Sequence, residues 1–587
     1  AAPTDCVPVS VLIACAFEVA SALVPRLKDE WACQTPQVPQ VWKDGSITLL
    51  PKPQKAGNSA QDFRPISLQC PLGKGLLSCI LDVVKPIIME RVRAFPQFAF
   101  TQARSTADAL RRVFARCART RDRCATASLS MRERLKGRRP VTCLGGLQAC
   151  VDLSNAFDLM PRHLLLIALQ RAGLPEKIIG LLLSWHQDAR MKFECSGVTS
   201  WATTQRGVRQ GCPVAPFLWI LFTCVICETL DHKLGEGWCL AHLTLFADDN
   251  HVDWCFDSLR TLTRSLQELG VFFEVLDEVG MRAHPNKSQL LFTCVGTCQG
   301  QARKTHLVRA GPNLSAKVPV HGSFVQVPVV RSASYLGAQV SFRAFERDTV
   351  QRRIDAAGLQ YRRVHRFLKP SSGLSMKTRT ELWRSLIWSS LCYALDCLCL
   401  SQAQQKQITT LVLRHLRAIC KLPAHLTFAN DEKVLQTAGL PAPVTLVRER
   451  MQSTLQRLPD SPFSDDCRRW LQASMDSLDH SSTSPAAQHI SSEVTCEVCG
   501  KACPSVRSLK VHKTKAHSMT TQGETFSVVA HALHGIPTCR LCHRQFHRMP
   551  SLRSHIQKGW SPVVSQSVSV VRSGALTPAR GIPDTAW

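Results

Sequence analysis

Three acidic residues carry the chemistry that this sequence can be read for. Asp248 and Asp249 are adjacent, inside the run His242-Leu243-Thr244-Leu245-Phe246-Ala247-Asp248-Asp249-Asn250-His251-Val252. Asp152 stands nearly a hundred residues earlier, at the end of Leu147-Gln148-Ala149-Cys150-Val151. Adjacent carboxylates repel each other, and a fold keeps both ionised most easily when a divalent cation sits on them. Alone, the pair suits an acidic, solvated turn just as well. A third carboxylate at the end of a second strand shifts the balance toward shared cations. Two divalent ions about 4 Å apart serve phosphoryl transfer to a nucleotide, one at the attacking hydroxyl and one at the leaving pyrophosphate.

Such chemistry needs two neighbouring strands, and the pattern supplies them. Small and apolar residues alternate up to Ala247, and a weaker alternation runs on through Trp254, so the reading is a β-hairpin with both carboxylates at its tip. Leu147, Ala149 and Val151 alternate into Asp152, a strand that delivers a carboxylate at its end. Around these lie helices over the first 45 residues, a strand over 47–52, a loop with Pro51, Pro53, Gly57 and Asn58, and a helix over 72–92. Ser105-Thr106-Ala107-Asp108 has capping character and leads into an amphipathic helix within the Arg-rich stretch 111–139. Further helices are expected over 161–172, 217–230 (buried, entered by the loop 207–216) and 257–270. Beyond 345 the chain turns to Arg-, Leu- and Gln-rich helical segments as far as about 455. Residues 459–492 are rich in Ser, Asp and Pro and read as a linker. Two Cys/His modules at 493–518 and 537–560 follow, then a tail over 561–587 expected to be disordered.

The chain has 587 residues and a formal net charge of +28, with Lys and Arg spread along its length. That length suggests several domains, and the charge suggests a polyanionic partner rather than a small neutral substrate. Twenty-seven cysteines, scattered through apolar runs, form no regular disulfide framework, so a reducing compartment is expected. The apolar opening 7–25 lacks a basic leader, and the run 216–227 is shorter than the ~20 residues of a membrane span. No membrane insertion is expected. The absent initiator Met reads as a piece of a longer product.

The spacing of several short motifs resembles the polymerase motifs of non-LTR (LINE-type) retrotransposon reverse transcriptases. They are Asp152-Leu153-Ser154-Asn155-Ala156-Phe157-Asp158, Gly207-Val208-Arg209-Gln210-Gly211-Cys212-Pro213 and Phe246-Ala247-Asp248-Asp249, in that order. Collinear matches are Leu50-Pro51-Lys52, Phe63 to Leu68, Phe100 with Arg104-Ser105-Thr106, Asn286-Lys287 and Tyr335-Leu336-Gly337, and the stretch with Leu382-Trp383 and Tyr393 resembles that family's thumb. The resemblance covers residues 30 to 455. It implies an α+β right-hand polymerase, with fingers and palm with an antiparallel sheet in 1–345 and an α-helical thumb in 346–458. It makes Asp152, Asp248 and Asp249 the ligands of two Mg²⁺ ions, for which Mn²⁺ can substitute. Phe157 then stands where a ring excludes a ribose 2′-hydroxyl. Arg64 and Lys52 meet the triphosphate, Gln210 and Gly211 let backbone approach template and incoming base, and Lys287 is a candidate proton donor to pyrophosphate. Surface ion pairing remains an alternative for Lys52 and Arg64, a solvated loop lysine for Lys287, and an ordinary core role for Phe157.

Three departures from that family stand out. Phe246 replaces the usual Tyr. Asn250 and His251 follow the carboxylates where apolar residues are usual, so the second hairpin arm is expected to pack less well. The basic segment 111–139 is longer than the usual connection.

Cys496-x₂-Cys499-x₁₂-His512-x₄-His517 has the ligand spacing of a tetrahedral Zn²⁺ site in a ββα finger. A second module, Cys539-x₂-Cys542-x₁₂-His555, lacks a fourth ligand at the corresponding distance; His543, His547 or a water would have to complete it. The expected activity is RNA-directed DNA synthesis from dNTPs on a DNA primer or target end, templated by RNA. The expected location is intracellular, the nucleus with a cytoplasmic ribonucleoprotein stage. The rival is a decayed or domesticated copy that survives as a zinc-finger nucleic-acid binder. The intact acidic triad favours the first, the incomplete second module the other.

Overall fold

The computed structural model describes residues 7–32, 36–52, 58–195, 197–284, 287–310, 313–458 and 463–479, with short pieces at 494–495, 498–499, 502–503, 532–533, 536–538, 545–546 and 551–552. Residues 1–483 form one compact unit and 484–587 a second. The first unit is mixed α+β. Its strands are β1 (Gly45–Pro51), β2 (Phe63–Gln69), β3 (Leu144–Val151), β4 (Arg190–Cys195), β5 (Val198–Thr203), β6 (Leu243–Phe246), β7 (Asp249–Phe256), β8 (Gln289–Val295), β9 (Leu307–Ala310), β10 (Asn313–Val320), β11 (Ser323–Val330), β12 (Ala333–Tyr335) and β13 (Ala338–Val340).

A seven-stranded sheet runs in the order β6-β7-β3-β8-β11-β10-β9. Its β3, β7 and β8 strands are antiparallel neighbours. Alternation decides which helices cover which face. Leu147, Ala149 and Val151 of β3 enter the core shared with the apolar helix Ala215–Leu234 and the helix Leu259–Glu278, while Cys150 packs into the core on the other side. There the helix Thr106–Ala127 lies against the sheet, with Ser105 accepting a hydrogen bond from Asp108 N at its start, as the capping sequence predicts. Where this helix meets β3, Cys117 Sγ donates to the buried Gln148. A second sheet, β2-β1-β4-β5, stands beside the first. The hairpin β4–β5 and the strands β9 to β11 had no clear signature in the sequence.

The Arg-rich helix divides its basic residues, burying Arg111, Arg112 and Arg116 and leaving Arg119 and Arg123 in solvent. Arg111 is fully buried between Asp108 (2.7 Å) and Asp396 (2.8 Å), and the buried Arg116 pairs with Asp253 and donates to the carbonyls of Ala241 and His242. Burying so much charge is tolerable only because acids and carbonyls meet each guanidinium. The 459–492 stretch contains a packed helix, Ser464–Asp479, rather than linker throughout. Cys467, Trp470, Leu471, Ser474, Met475 and Leu478 are its buried stripe at helical spacing, and Trp470 Nε1 donates to Cys397 O at 2.8 Å. Just before it, buried Phe463 meets Phe98 edge to face, with Arg104 and Arg112 over its ring. Finally, the Ala215–Leu234 helix is longer than its apolar run and has the length and composition of a membrane span, yet 67% of its most apolar window is buried among neighbouring elements. It is the core helix of this unit.

Candidate active site

The carboxylates are brought together by register. In the β6–β7 hairpin Phe246 pairs with Asp249, which leaves Ala247 and Asp248 as a two-residue turn. Ala247 takes a left-handed conformation (φ +54°), as such turns require. Between β3 and β7, Val151 pairs with Asn250. Asp152 follows Val151 directly and Asp249 precedes Asn250, so the two acids leave the end of this ladder together, and the charge of Asp152 acts on both Asp249 and Asp248.

Their charges act on each other. Burial pushes the Asp249 carboxyl up to about 6, and the charges of Asp248 and Asp152 push the same way. Asp248 is raised by burial and by Asp152, while its own backbone and Arg64 pull it down. Both side chains remain exposed to water although protein surrounds them at longer range, as on the floor of an open cleft. Lys287 Nζ lies 3.8 Å from Asp152 Oδ2, both well exposed. The backbone of Asp152 is fixed from the same loop: His284 N donates to Asp152 O at 2.9 Å and Asp152 N donates to Ser288 Oγ at 3.3 Å.

Among the described residues, no group of three or more His, Cys, Asp or Glu side chains closes into a cage able to hold an ion unaided. Magnesium on a nucleotide does not need one. It is usually bound by one or two carboxylates, with waters and substrate phosphates completing the shell. The donor set fits that arrangement: burial first, and then the mutual repulsion of the carboxylates, holds Asp248 and Asp249 above the ordinary range, and a bound cation would offset both.

The turn is held by a residue that the sequence did not single out. Gln97 is fully buried, and its Oε1 accepts from the N–H groups of Ala99 and Ala247, each at 3.0 Å. Its Nε2 lies 3.4 Å from both Ala247 O and Thr223 Oγ1. The segment around it pairs with β6 through Phe98 N to Leu245 O and Leu245 N to Pro96 O. Arg104, half-buried, secures that segment by donating to the carbonyls of Arg93, Phe95 and Gln97. Only the nearness of Gln97 to Phe100 and Arg104 pointed toward it in the sequence.

The second hairpin arm packs fully, contrary to expectation. Asn250 is buried and donates to Asp248 O at 2.8 Å, which braces the turn from below. His251 is fully buried against the Tyr335 ring, 5.4 Å between centroids, and burial holds its pKa down to about 3.

Arg64 and Lys52 share the β1–β2 hairpin. Leu50 pairs with Arg64, so Arg64 and Lys52, two residues beyond Leu50, fall on one face. The electrostatic effect on Asp248 ties Arg64 to the carboxylates. Phe157 is half-buried, its ring stacked on Trp219 at 5.0 Å. Gln210 Nε2 donates to Asp158 Oδ2 at 3.1 Å, and its carbonyl accepts from Ser67 N at 2.9 Å. Gly211 has φ +108°, and a Cβ there would meet Ser67 O at 2.7 Å. Its glycine is therefore already demanded by the chain's own β2 strand, before any template is considered. Buried Arg209 donates to the carbonyls of Trp42 and Lys43 and fastens the same loop beneath β1.

The zinc modules fall almost wholly beyond the described residues. Cys496, His512, His517, Cys539, Cys542 and His555 lie outside them, as does the tail 561–587; Cys499 is described and exposed.

Residues 50–340 match the reverse transcriptase (RNA-dependent DNA polymerase) family model. Over 234 residues the chain is 27% identical to a probable RNA-directed DNA polymerase from transposon BS of Drosophila melanogaster; the match takes in 39% of this chain and only 23% of that protein. Solved structures with some likeness include an apo telomerase from Candida tropicalis (TM-score 0.38, 11% identity, 78% of this chain and 74% of that one) and the RNA-dependent RNA polymerase of a human picobirnavirus (TM-score 0.31, 10% identity, 73% and 64%). The stretch 50–340, which holds Asp152, Asp248 and Asp249, is thus similar to the reverse transcriptase family, and this likeness together with that to the transposon polymerase supports reverse transcriptase activity.

Proposed function

We propose that this chain is the RNA-directed DNA polymerase of a non-LTR-type retrotransposon, with right-hand architecture. It would extend a DNA 3′-end on an RNA template. The observation that carries this reading is the register that brings Asp152 and Asp249 to the same end of one ladder beside the Asp248 turn, with Arg64 near enough to lower the Asp248 carboxyl. Two magnesium ions bound there would supply Lewis-acid activation of the primer hydroxyl and neutralise the charge that develops on the leaving pyrophosphate. Asp152, Asp248 and Asp249 would hold them. Arg64 and Lys52 would orient the triphosphate, and Lys287 would give a proton to the departing pyrophosphate. The Phe157 ring, braced on Trp219, would crowd a 2′-hydroxyl and so favour dNTPs. Cys496, Cys499, His512 and His517 would bind Zn²⁺ in a finger that grips RNA or target DNA.

Primer extension on poly(rA)/oligo(dT) tests the proposal, with Asp248→Ala as control. Incorporation by the natural chain that disappears in the variant supports it. Equal background in both refutes it and leaves a nucleic-acid binder without catalysis.

A further inference from the structure

Away from the carboxylates, the helical region holds an open hollow of about 880 Å³. Its rim includes Arg414, Arg417, Lys421 and His425, and its one acid is Asp431. Asp431 is engaged: Arg417 Nη2 donates to its Oδ1 at 2.7 Å. The remaining lining cations therefore face the hollow without an acid among the other residues that line it.

The same Arg417 does a second thing. Its Nη1 donates to Ala429 O at 2.9 Å and to Leu422 O at 3.3 Å, so one guanidinium ties both ends of the loop that leaves the helix Gln402–Ile419. Within that loop Lys421 (φ +56°) and Phe428 (φ +52°) adopt the left-handed conformation that side chains disfavour. Phe428 is nevertheless 86% exposed and Leu426 70%. The loop packs Leu422 and Ala429 on the helical core, yet it leaves the Phe428 ring in water three residues from the hollow's His425. Backbone strain of this sort persists where surrounding contacts impose it, and it clusters at binding sites.

We infer that this hollow is a binding site for single-stranded nucleic acid, whose phosphates run along Arg414, Lys421 and His425 while an unpaired base stacks on Phe428. Charge selects a polyanion. The single projecting ring selects a strand whose bases are free, because in a duplex the base faces are already stacked. Ribose and deoxyribose strands share this chemistry. The site is independent of the polymerase reading, since none of its residues is among those assigned to that reaction.

The test uses the full chain carrying Asp248→Asn, so that catalysis plays no part, with its main cleft filled by an excess of an unlabelled, blunt-ended RNA/DNA hybrid of mixed sequence, which leaves no unpaired bases to anneal to the probes. Labelled 12-nucleotide oligo(U), oligo(dT) and a 12-base-pair duplex, each with 5-iodouracil at its centre, are titrated by anisotropy and then photocrosslinked. The two single strands are expected to bind and to crosslink to the peptide holding Phe428, and the duplex is not; the ratio of oligo(U) to oligo(dT) affinity tells RNA from DNA. Phe428→Ala should weaken binding roughly tenfold, the loss of one stacked base, and Phe428→Trp should restore it. Arg414→Gln with Lys421→Gln should flatten the dependence of log affinity on log salt by about 1.4, two phosphates' worth for a single strand. Thermal unfolding of each variant shows that it is folded. Crosslinks that map elsewhere, a duplex bound as well as a strand, or affinities unchanged in folded Phe428→Ala would overturn the assignment, and in the last two cases the ring would be left to a protein partner.

Discussion

Replacing Gln97 by Leu tests whether one buried amide sets the geometry of the acidic turn. The substitution keeps the volume and removes the acceptor shared by Ala99 N–H and Ala247 N–H. A buried donor left without an acceptor costs about 1–3 kcal/mol. Ala99 is buried and Ala247 only half so, which puts the combined loss at about 2–4 kcal/mol. Ala247 would relieve its share by moving, and Asp248 moves with it. A displacement near 1 Å in a reacting group costs roughly a hundredfold in rate, so kcat in primer extension should fall by one to two orders of magnitude while KM for the nucleotide shifts far less. Gln97→Glu retains an acceptor toward both N–H groups and should keep most of the thermal stability. It would still add charge beside Asp248 and lower activity at neutral pH. Steady-state kinetics and unfolding midpoints for both variants decide the matter. A folded Gln97→Leu protein with undiminished kcat would refute the reasoning.

Other consequences can be checked in parallel. The Asp249 carboxyl is raised to about 6, so its ionisation works against folding: stability is greatest at low pH and is lost as pH rises through about 6. Asp249→Asn should flatten that part of the stability profile, and stabilisation of the natural chain by Mg²⁺ should grow from pH 5 to pH 7, both read from unfolding midpoints. Gly211→Ala must place a methyl against Ser67 O in a left-handed backbone, and should lower the midpoint and disturb activity together. Arg111→Ala leaves Asp108 and Asp396 buried without their cation; the loss should be about 3–5 kcal/mol by denaturant titration, and joint replacement of all three by apolar residues should recover much of it. A peptide spanning residues 490–520 should take up one equivalent of Zn²⁺, seen by Co²⁺ substitution spectra, and Cys496→Ser should abolish it.

Much of the site was legible because its signals are local. A two-residue turn with its carboxylates is written in consecutive residues, and β3 shows its alternation up to Asp152. What the reading lacked were contacts over long separations. Gln97 lies 150 residues from the Ala247 backbone that it holds, and no periodicity marks a side chain whose partners are main-chain atoms. The Arg-rich helix left its surroundings open for the same reason: a basic stripe looks alike whether it faces water or buried Asp253 and Asp396. Ser464–Asp479 was obscured differently. Its apolar stripe was present, but the Ser, Asp and Pro around it suggested a linker.

By itself, then, the sequence determined which side chains can do the chemistry, because carboxylate identity, strand alternation and turn propensity are properties of short stretches. Tertiary structure alone decided how those stretches meet. A one-residue slip between β3 and β7 would turn every side chain of the slipped strand to the other face of the sheet and part Asp152 from Asp249. The register that prevents it is set by packing on both faces and by buried partners drawn from hundreds of residues apart.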